Sequence, residues 1–262
     1  MTNWGDCLTT MRTGAPLVQN ITNYVSMNIM ANTMLAAGAS PAMVHANEEA
    51  ADFAAIAQAL TVNIGTLSEP WVQSMVEAAT VMNDNAKPWV LDPVATGATT
   101  FRSSTAAQLL ALKPTIIKGN ASEIMALSGA TAAGKGVDAV HGVDAAEAHA
   151  TALAQANTAV VVVTGPVDFI TDGQTSYRVS NGDALMPRIT ALGCSLGGII
   201  SAFAATQPPL QAAVAAVTYF GLAGELAAEA STGPGSFQPA FLDALYNITP
   251  EIMSECAQVE LI

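Results

Sequence analysis

Short apolar runs rich in Val and Ile recur along this chain, and most are followed by a longer stretch whose apolar and Ala residues fall at helical spacing. That alternation constrains the fold more than any other feature. The early runs lack polar alternation, as strands buried on both faces should. Strands are predicted over residues 39–43, 60–64, 88–92, 115–118, 159–164 and 168–171, with a further one over 176–180. Helices are predicted over 23–37, 47–59, 69–83, 103–112, 121–127 and 144–155, and from Cys194 the chain reads as almost wholly helical. The expected fold class is α/β, a three-layer α/β/α sandwich on a mostly parallel central sheet. The only long Gly/Ala-rich loop, 129–143, is flanked by elements of the same alternation, so residues 1–262 read as a single domain.

Composition narrows the partners. Hydrophobic residues make up 51% of the chain and charged residues 11%, which excludes a disordered acidic protein despite a net charge of -13. Eight basic residues stand against 21 acidic ones and form no cluster, so no nucleic acid partner is expected. The apolar 191–206 stretch ends at Gln207, Pro208 and Pro209, and the next, 210–224, stops at Glu225. Both read as buried helices and not as membrane spans. No cationic start with an apolar run follows Met1, and Cys7, Cys194 and Cys256 are odd in number and far apart. Together these predict reduced thiols in the cytoplasm.

Two motifs fail on inspection. GATAAGK (129–135) matches a phosphate loop up to its lysine, but Gly136 supplies no hydroxyl and the segment follows a helix. GCSLG (193–197) matches a nucleophile elbow, but the last histidine is His149, so no triad forms in the usual order. His45, His141 and His149 show no metal-ligand spacing and read as surface or loop residues.

Polar and Gly residues collect instead at strand ends, where open parallel sheets bind ligands: Asn63 to Thr66, Asp92, Lys118 to Asn120, and Thr164 with Gly165. The TALGC turn (190–194) precedes a long helix expected to start near Ser195. Its free N–H groups and dipole would attract a phosphate. Gly193 allows close backbone approach, and Cys194 in the first turn is expected to have a lowered pKa.

Seven segments, PLVQNITNYV (16–25), GASPAM (38–43), NIGT (63–66), LDPV (91–94), KGNASE (118–123), VTGPVD (163–168) and GPGSF (233–237), resemble the hydroxyethylthiazole kinase family in order and spacing. They cover nearly the whole chain. The resemblance implies a ribokinase-like fold and ATP-dependent phosphorylation of the primary alcohol of 4-methyl-5-(2-hydroxyethyl)thiazole, a step of thiamine salvage. It also implies a homotrimer with active sites shared across subunit boundaries. Carried over by position, Met43 matches the family's thiazole-contacting Met, and Ala191 falls where a substrate-contacting Gly usually sits. Lys118 stands where an Arg for the ATP phosphates is common, and Thr164 matches an ATP-contacting Thr or Ser. Asn120 and Glu123 resemble a magnesium-associated motif, and Cys194 occupies the position of the superfamily's catalytic Asp.

Each match has a physical task. A chain this acidic cannot gather ATP by long-range attraction, so Lys118, Mg²⁺ and the amides after Gly193 must supply local charge. Lys is a point charge where Arg offers a bidentate fork, so less oriented phosphate binding is expected. Asp92 and Glu123 could hold Mg²⁺ partly through water, although Asp92 could instead cap the turn before Pro93. Cys194 is expected within hydrogen-bonding reach of the substrate hydroxyl. Met43, with Asn23 nearby in the first helix, is expected to line the heterocycle's pocket. The turn departs from the family's Thr-Gly-x-Gly-Cys at Ala191 and Leu192. These departures keep two alternatives open: a kinase of another small alcohol such as a hydroxymethylpyrimidine, and a catalytically weak ligand-binding protein.

Overall fold

The computed structural model describes residues 2–129 and 139–262, with side chains for all of these but 139–145. The GATAAGK motif beyond Gly129 and the side chain of His141 lie outside the described residues. In chain order the first half runs α1 (Trp4–Gly14), β1 (Leu17–Ile21), α2 (Met27–Ala37), β2 (Ser40–Ala42), α3 (Asn47–Ile56), β3 (Ala59–Asn63), α4 (Glu69–Asp84), β4 (Trp89–Asp92), α5 (Thr100–Ala111), β5 (Ile116–Asn120) and α6 (Ala121–Leu127). The second half runs α7 (Ala139–Asn157), β6 (Val160–Thr164), β7 (Asp168–Thr171), β8 (Ser176–Val179), α8 (Leu192–Ala204), α9 (Pro209–Glu229), α10 (Pro234–Asn247), α11 (Pro250–Cys256) and β9 (Val259–Leu261). Among the described residues these strands form one sheet in the order β2-β1-β3-β4-β5-β6-β7-β8-β9. The first six are mutually parallel and the last three antiparallel. The expected layered α/β architecture is what the chain adopts.

Alternation along each strand feeds two layers of helices. Val90, Ile116, Val160 and Val162 point into one core with α1, α2, α8, α9 and α10. Their neighbours Trp89 and Leu91 pack with α4 and α5, and Ile117, Val161 and Val163 pack with α6 and α7. Burial on both faces explains why these strands read as unbroken apolar runs. Helix α9 is long and apolar enough to cross a membrane by length and composition, but most of it is buried in this core.

Several boundaries differ from expectation. The strand β1 is hidden in the sequence because Gln19 and Asn20 interrupt its apolar run; both are fully buried. Gln19 spends its amide on the carbonyls of Val44 and Ala50, and Asn20 on that of Val18. Helix α2 begins at Met27 and not at residue 23, since Asn23 Oδ1 accepts from the N–H groups of Val25 and Ser26 and holds a turn. Asn23 therefore precedes the second helix and lies in no helix. Helix α7 starts at Ala139, inside the stretch read as a loop; His149, within the part expected to be helical, is half-buried and pairs with Ser128 at 2.9 Å. The C-terminal segment is not wholly helical: β9 adds a strand along β8.

Candidate active site

The parallel strands deliver their carboxyl ends to one edge, and buried polar side chains there are wired to one another. Asn63 ends β3 and Asp92 ends β4, directly paired in register. Asn63 Nδ2 donates to Asp92 Oδ2 at 2.8 Å, and Asn63 Oδ1 accepts from Asn23 Nδ2 at 2.8 Å. The same Asn23 amide nitrogen donates to Cys194 Sγ at 3.3 Å. On the other side, Lys118 of β5 reaches Asp92 Oδ2 at 3.2 Å and the carbonyl of Gly193 at 2.9 Å. The circuit Cys194, Asn23, Asn63, Asp92, Lys118 and Gly193 thus returns to the residue beside its start. Five of the residues expected to be functional (Asn23, Asp92, Lys118, Gly193 and Cys194) meet here through Asn63, which the sequence marked only as a polar strand end.

Helix α8 brings Gly193 and Cys194 to this edge. It starts at Leu192, three residues before the expected Ser195, so both lie within its first turn. The first helical bond runs from the Ser195 N–H to the Ala191 carbonyl, leaving the three preceding amides to serve a ligand. Leu192 is only 3% exposed and fills the core, which is why a bulky residue is tolerated in the turn. Ala191 has φ 65 and ψ 0, in the left-handed region. The missing family glycine is therefore a conformational matter as well as an added methyl. Ser195 is buried and donates to the Ala191 carbonyl, which removes it as an elbow nucleophile.

The electrostatics correct one expectation. Burial, with the Asp92 carboxylate nearby, pushes the Cys194 thiol up, outweighing Lys118 and the two asparagines. Cys194 is thus a neutral thiol in the resting protein, not the acidified thiol that its place in the first turn implied. Burial likewise raises Asp92 to about 6, against the pull of Lys118 and with the push of Glu123. Burial would depress Lys118, but the neighbouring Asp92, Cys194 and Glu123 outweigh it and raise its pKa. At neutral pH Asp92 and Lys118 form a buried ion pair. Asp92 does not cap the turn before Pro93 with its side chain; Oδ2 is committed to Asn63 and Lys118, and Oδ1 is buried without a partner.

That orphaned oxygen is where a cation fits. Glu123, by contrast, is occupied by structure: one carboxylate oxygen accepts from Ala95 N–H at 2.8 Å and the other from Asn120 N–H at 2.9 Å, closing a capping box at the start of α6. Among the described residues no group of three His, Cys, Asp or Glu side chains could enclose a metal. The donor set suits an ion that keeps most of its waters and few carboxylates.

Beside the circuit opens a cavity of about 790 Å³, lined by Asn120, Thr164, Asp168, Ala191 and Gly193 on its polar side and by residues such as Met186 and Phe220 on its apolar side. Thr164 Oγ1 donates to the Gly119 carbonyl at 3.4 Å. Asp168 Oδ1 accepts from Gly165 N–H at 2.9 Å, and burial pushes its carboxyl up to about 7, against that bond and Lys118. Met43 is half-buried, packs against the main core and does not line this cavity. It lies just past β2, on the far side of β1. Arg102 was not foreseen at all: from the first turn of α5 it donates to the carbonyls of Ile64, Gly65 and Val94, binding together the loops that follow Asn63 and Asp92. Nothing in its sequence context marks it, whereas Asn63 and Asp168 stand in segments already notable for polar strand ends.

This arrangement, a helix N-terminus over parallel strand ends with a buried Lys–Asp pair and a cavity beside it, agrees with comparison to known proteins. The family model described as "Hydroxyethylthiazole kinase family" matches residues 8–251. A hydroxyethylthiazole kinase of Cereibacter sphaeroides is 61% identical over 260 residues, covering 99% of each chain. One of Rhizobium rhizogenes is 56% identical over 97% of this chain and 96% of its own. The solved structure of a hydroxyethylthiazole kinase protein from Pyrococcus horikoshii superposes with a TM-score of 0.93 at 39% identity, covering all of both chains. A pyridoxal kinase from Staphylococcus aureus shares the fold at a TM-score of 0.66 and 18% identity, over 94% of this chain and 98% of its own. With the family model spanning nearly the whole chain and relatives this similar at full length, the chain belongs to the hydroxyethylthiazole kinase family.

Proposed function

We propose that this chain transfers the γ-phosphoryl group of ATP to the primary alcohol of 4-methyl-5-(2-hydroxyethyl)thiazole, in thiamine biosynthesis or salvage. The observation that carries the reading is the buried circuit from Cys194 to the Asp92–Lys118 pair, set at the first turn of α8. ATP occupies the neighbouring cavity, with Thr164 and Asn120 on its polar wall and the apolar side receiving the base. Its phosphates meet the open amides at Gly193 and Cys194, where the helix dipole adds to their attraction. Lys118 supplies the fixed positive charge of the site. Its ammonium already spans Asp92 and Gly193, so it lies where charge develops without needing to be ordered on binding.

Phosphoryl transfer has a loose transition state, so positioning and charge matter more than a strong base. A neutral thiol suits that demand. Cys194 as a neutral thiol holds the substrate hydroxyl by hydrogen bonding, and the hydroxyl proton passes late to an oxygen of the transferred phosphoryl group. Only where the thiol has ionised does the thiolate take that proton. Asn23 fixes the orientation of Sγ. Asp92, and Glu123 through water, would hold Mg²⁺, which when bound neutralises the phosphate oxygens. Asn23 and Met43 contact the thiazole side of the substrate. Ala191, which lines the neighbouring cavity beside Gly193, is assigned a substrate contact from the cavity side.

Exposed apolar residues beside the site support an assembly with shared sites, and the number three, a homotrimer, comes from the family resemblance. Asn23 is followed by Tyr24 and Val25, which are 69% and 58% exposed, and Leu35 of α2 is also exposed. Apolar side chains this close to a binding residue are placed for burial against another subunit. The three cysteines are free, which suits a reducing cytoplasm. The test of function is ADP release by the purified protein with Mg-ATP, comparing the thiazole alcohol, hydroxymethylpyrimidine and no alcohol. Turnover stimulated by the thiazole supports the reading; equal or greater stimulation by the pyrimidine would replace it, and thiazole binding without turnover would favour a binding protein.

A further inference from the structure

His45 lies two residues beyond Met43 and is not used by the phosphoryl-transfer residues, yet it joins the two segments assigned to the alcohol substrate. Its Nε2 accepts the backbone N–H of Thr22 at 3.0 Å, immediately before Asn23. The same Nε2 lies 3.2 Å from the Thr22 carbonyl, so the ring faces both backbone polar groups of Thr22 and its tautomer decides which of them it serves. Burial lowers the His45 pKa, opposed by hydrogen bonding to the backbones of Met43 and Thr22, so the imidazole is neutral at physiological pH. The ring thus ties the segment that follows Met43 to Thr22 directly. It lies against Trp71 of α4, centroids 4.6 Å apart, and Trp71 in turn lies 4.6 Å from Tyr24. Tyr24 is pinned through its own N–H to Thr66 Oγ1 at 3.1 Å. Three elements of the chain are thus clasped around the turn that aims Asn23 at Cys194.

From this geometry we infer that His45 is a positioning residue for the alcohol substrate, holding the Met43 segment against the Thr22–Asn23 turn so that Met43 and Asn23 present one preformed wall. This rests on the proposed thiazole kinase reading. A residue acting this way affects capture of the alcohol and leaves nucleotide binding alone, because Thr164, Gly193 and Lys118 lie on other strands or on α8.

The test compares His45→Phe, which keeps a ring against Trp71 but cannot accept the Thr22 N–H, with His45→Gln, which keeps an acceptor and a donor. The thiazole alcohol KM is expected to rise about tenfold in the phenylalanine variant, the size of one lost buried hydrogen bond. Its ATP KM is expected to stay within about twofold, and kcat is expected to fall by less than the alcohol KM rises because Asn63 still holds Asn23. Glutamine is expected to restore most of the alcohol KM. Should the phenylalanine variant fail to fold, His45→Asn, whose shorter amide falls short of Thr22, takes its place with the same expectation. An unchanged alcohol KM, or a parallel loss of ATP affinity, kcat and melting temperature that glutamine does not relieve, would overturn the inference. A wild-type enzyme that does not respond to the thiazole alcohol at all would instead overturn the proposed function on which the inference rests.

Discussion

Ala191 offers a sharp test of how this site is built. At φ 65 its side chain sits in the left-handed region, where an L-residue costs on the order of 1–2 kcal/mol relative to glycine. Replacing Ala191 by Gly removes that strain but adds backbone freedom to the unfolded chain, worth about 0.4–1 kcal/mol in the opposite direction. The net expectation for Ala191→Gly is a stabilisation of about 0.5–1 kcal/mol. For a chain of this size that raises Tm by roughly 1–4 °C. Ala191→Val, β-branched at the same backbone, should lower Tm by more than this. Ala15, which ends α1 at φ 38, is a control: Ala15→Gly should stabilise similarly with no kinetic effect. Calorimetric melting of the three variants, with steady-state kinetics at saturating ATP, measures both consequences. A Tm that falls in Ala191→Gly, while Ala15→Gly behaves as expected, would refute the strained-turn account and mean that the alanine methyl makes packing contacts worth more than its backbone costs.

Other predictions follow from the buried circuit. Cys194→Ala should lower kcat on the order of tenfold, less than a strongly ionised base would, with ATP KM within about twofold; in the wild type kcat should rise through the alkaline range as the thiol ionises, and this limb should vanish in the variant. Lys118→Met leaves Asp92 buried without its cation and should cost about 3–5 kcal/mol in urea unfolding at pH 7, much of it recovered by adding Asp92→Asn. Asp168, with its folded pKa raised to about 7, binds its proton more tightly folded than unfolded, so its presence erodes stability as pH rises from about 4 to 7. Asp168→Asn, which can still accept from Gly165, should therefore be more stable than wild type at pH 8 by on the order of 2 kcal/mol, the gap closing towards pH 4.

How much of this was legible beforehand divides along physical lines. The strands β3 to β6 were readable because burial on both faces leaves a nearly unbroken apolar run, and Asp92, Lys118 and Thr164 were readable because they break such runs at their ends. Strand β1 was not, since Gln19 and Asn20 are polar residues buried in the sheet, and the carbonyls of Val44 and Ala50 that take the Gln19 amide are brought near only by the tertiary fold. Asn23 illustrates the same limit: its residue type fits a helix start or a turn, and the choice is made by its own side chain bonding Val25 and Ser26. Cys194 was placed correctly at the helix start, but local sequence shows the dipole and hides the desolvation and the Asp92 charge, which reverse the sign of its shift. The sign of φ at Ala191 was likewise hidden, because alanine usually marks an ordinary helical or extended residue.

The most direct test of the central claim is to incubate the purified protein with Mg-ATP and the thiazole alcohol and to identify the product by mass spectrometry, alongside Cys194→Ala. The account predicts the alcohol's monophosphate formed in step with ADP by the wild type and much more slowly by the variant. ADP without a phosphorylated thiazole, or a variant as fast as the wild type, would contradict it.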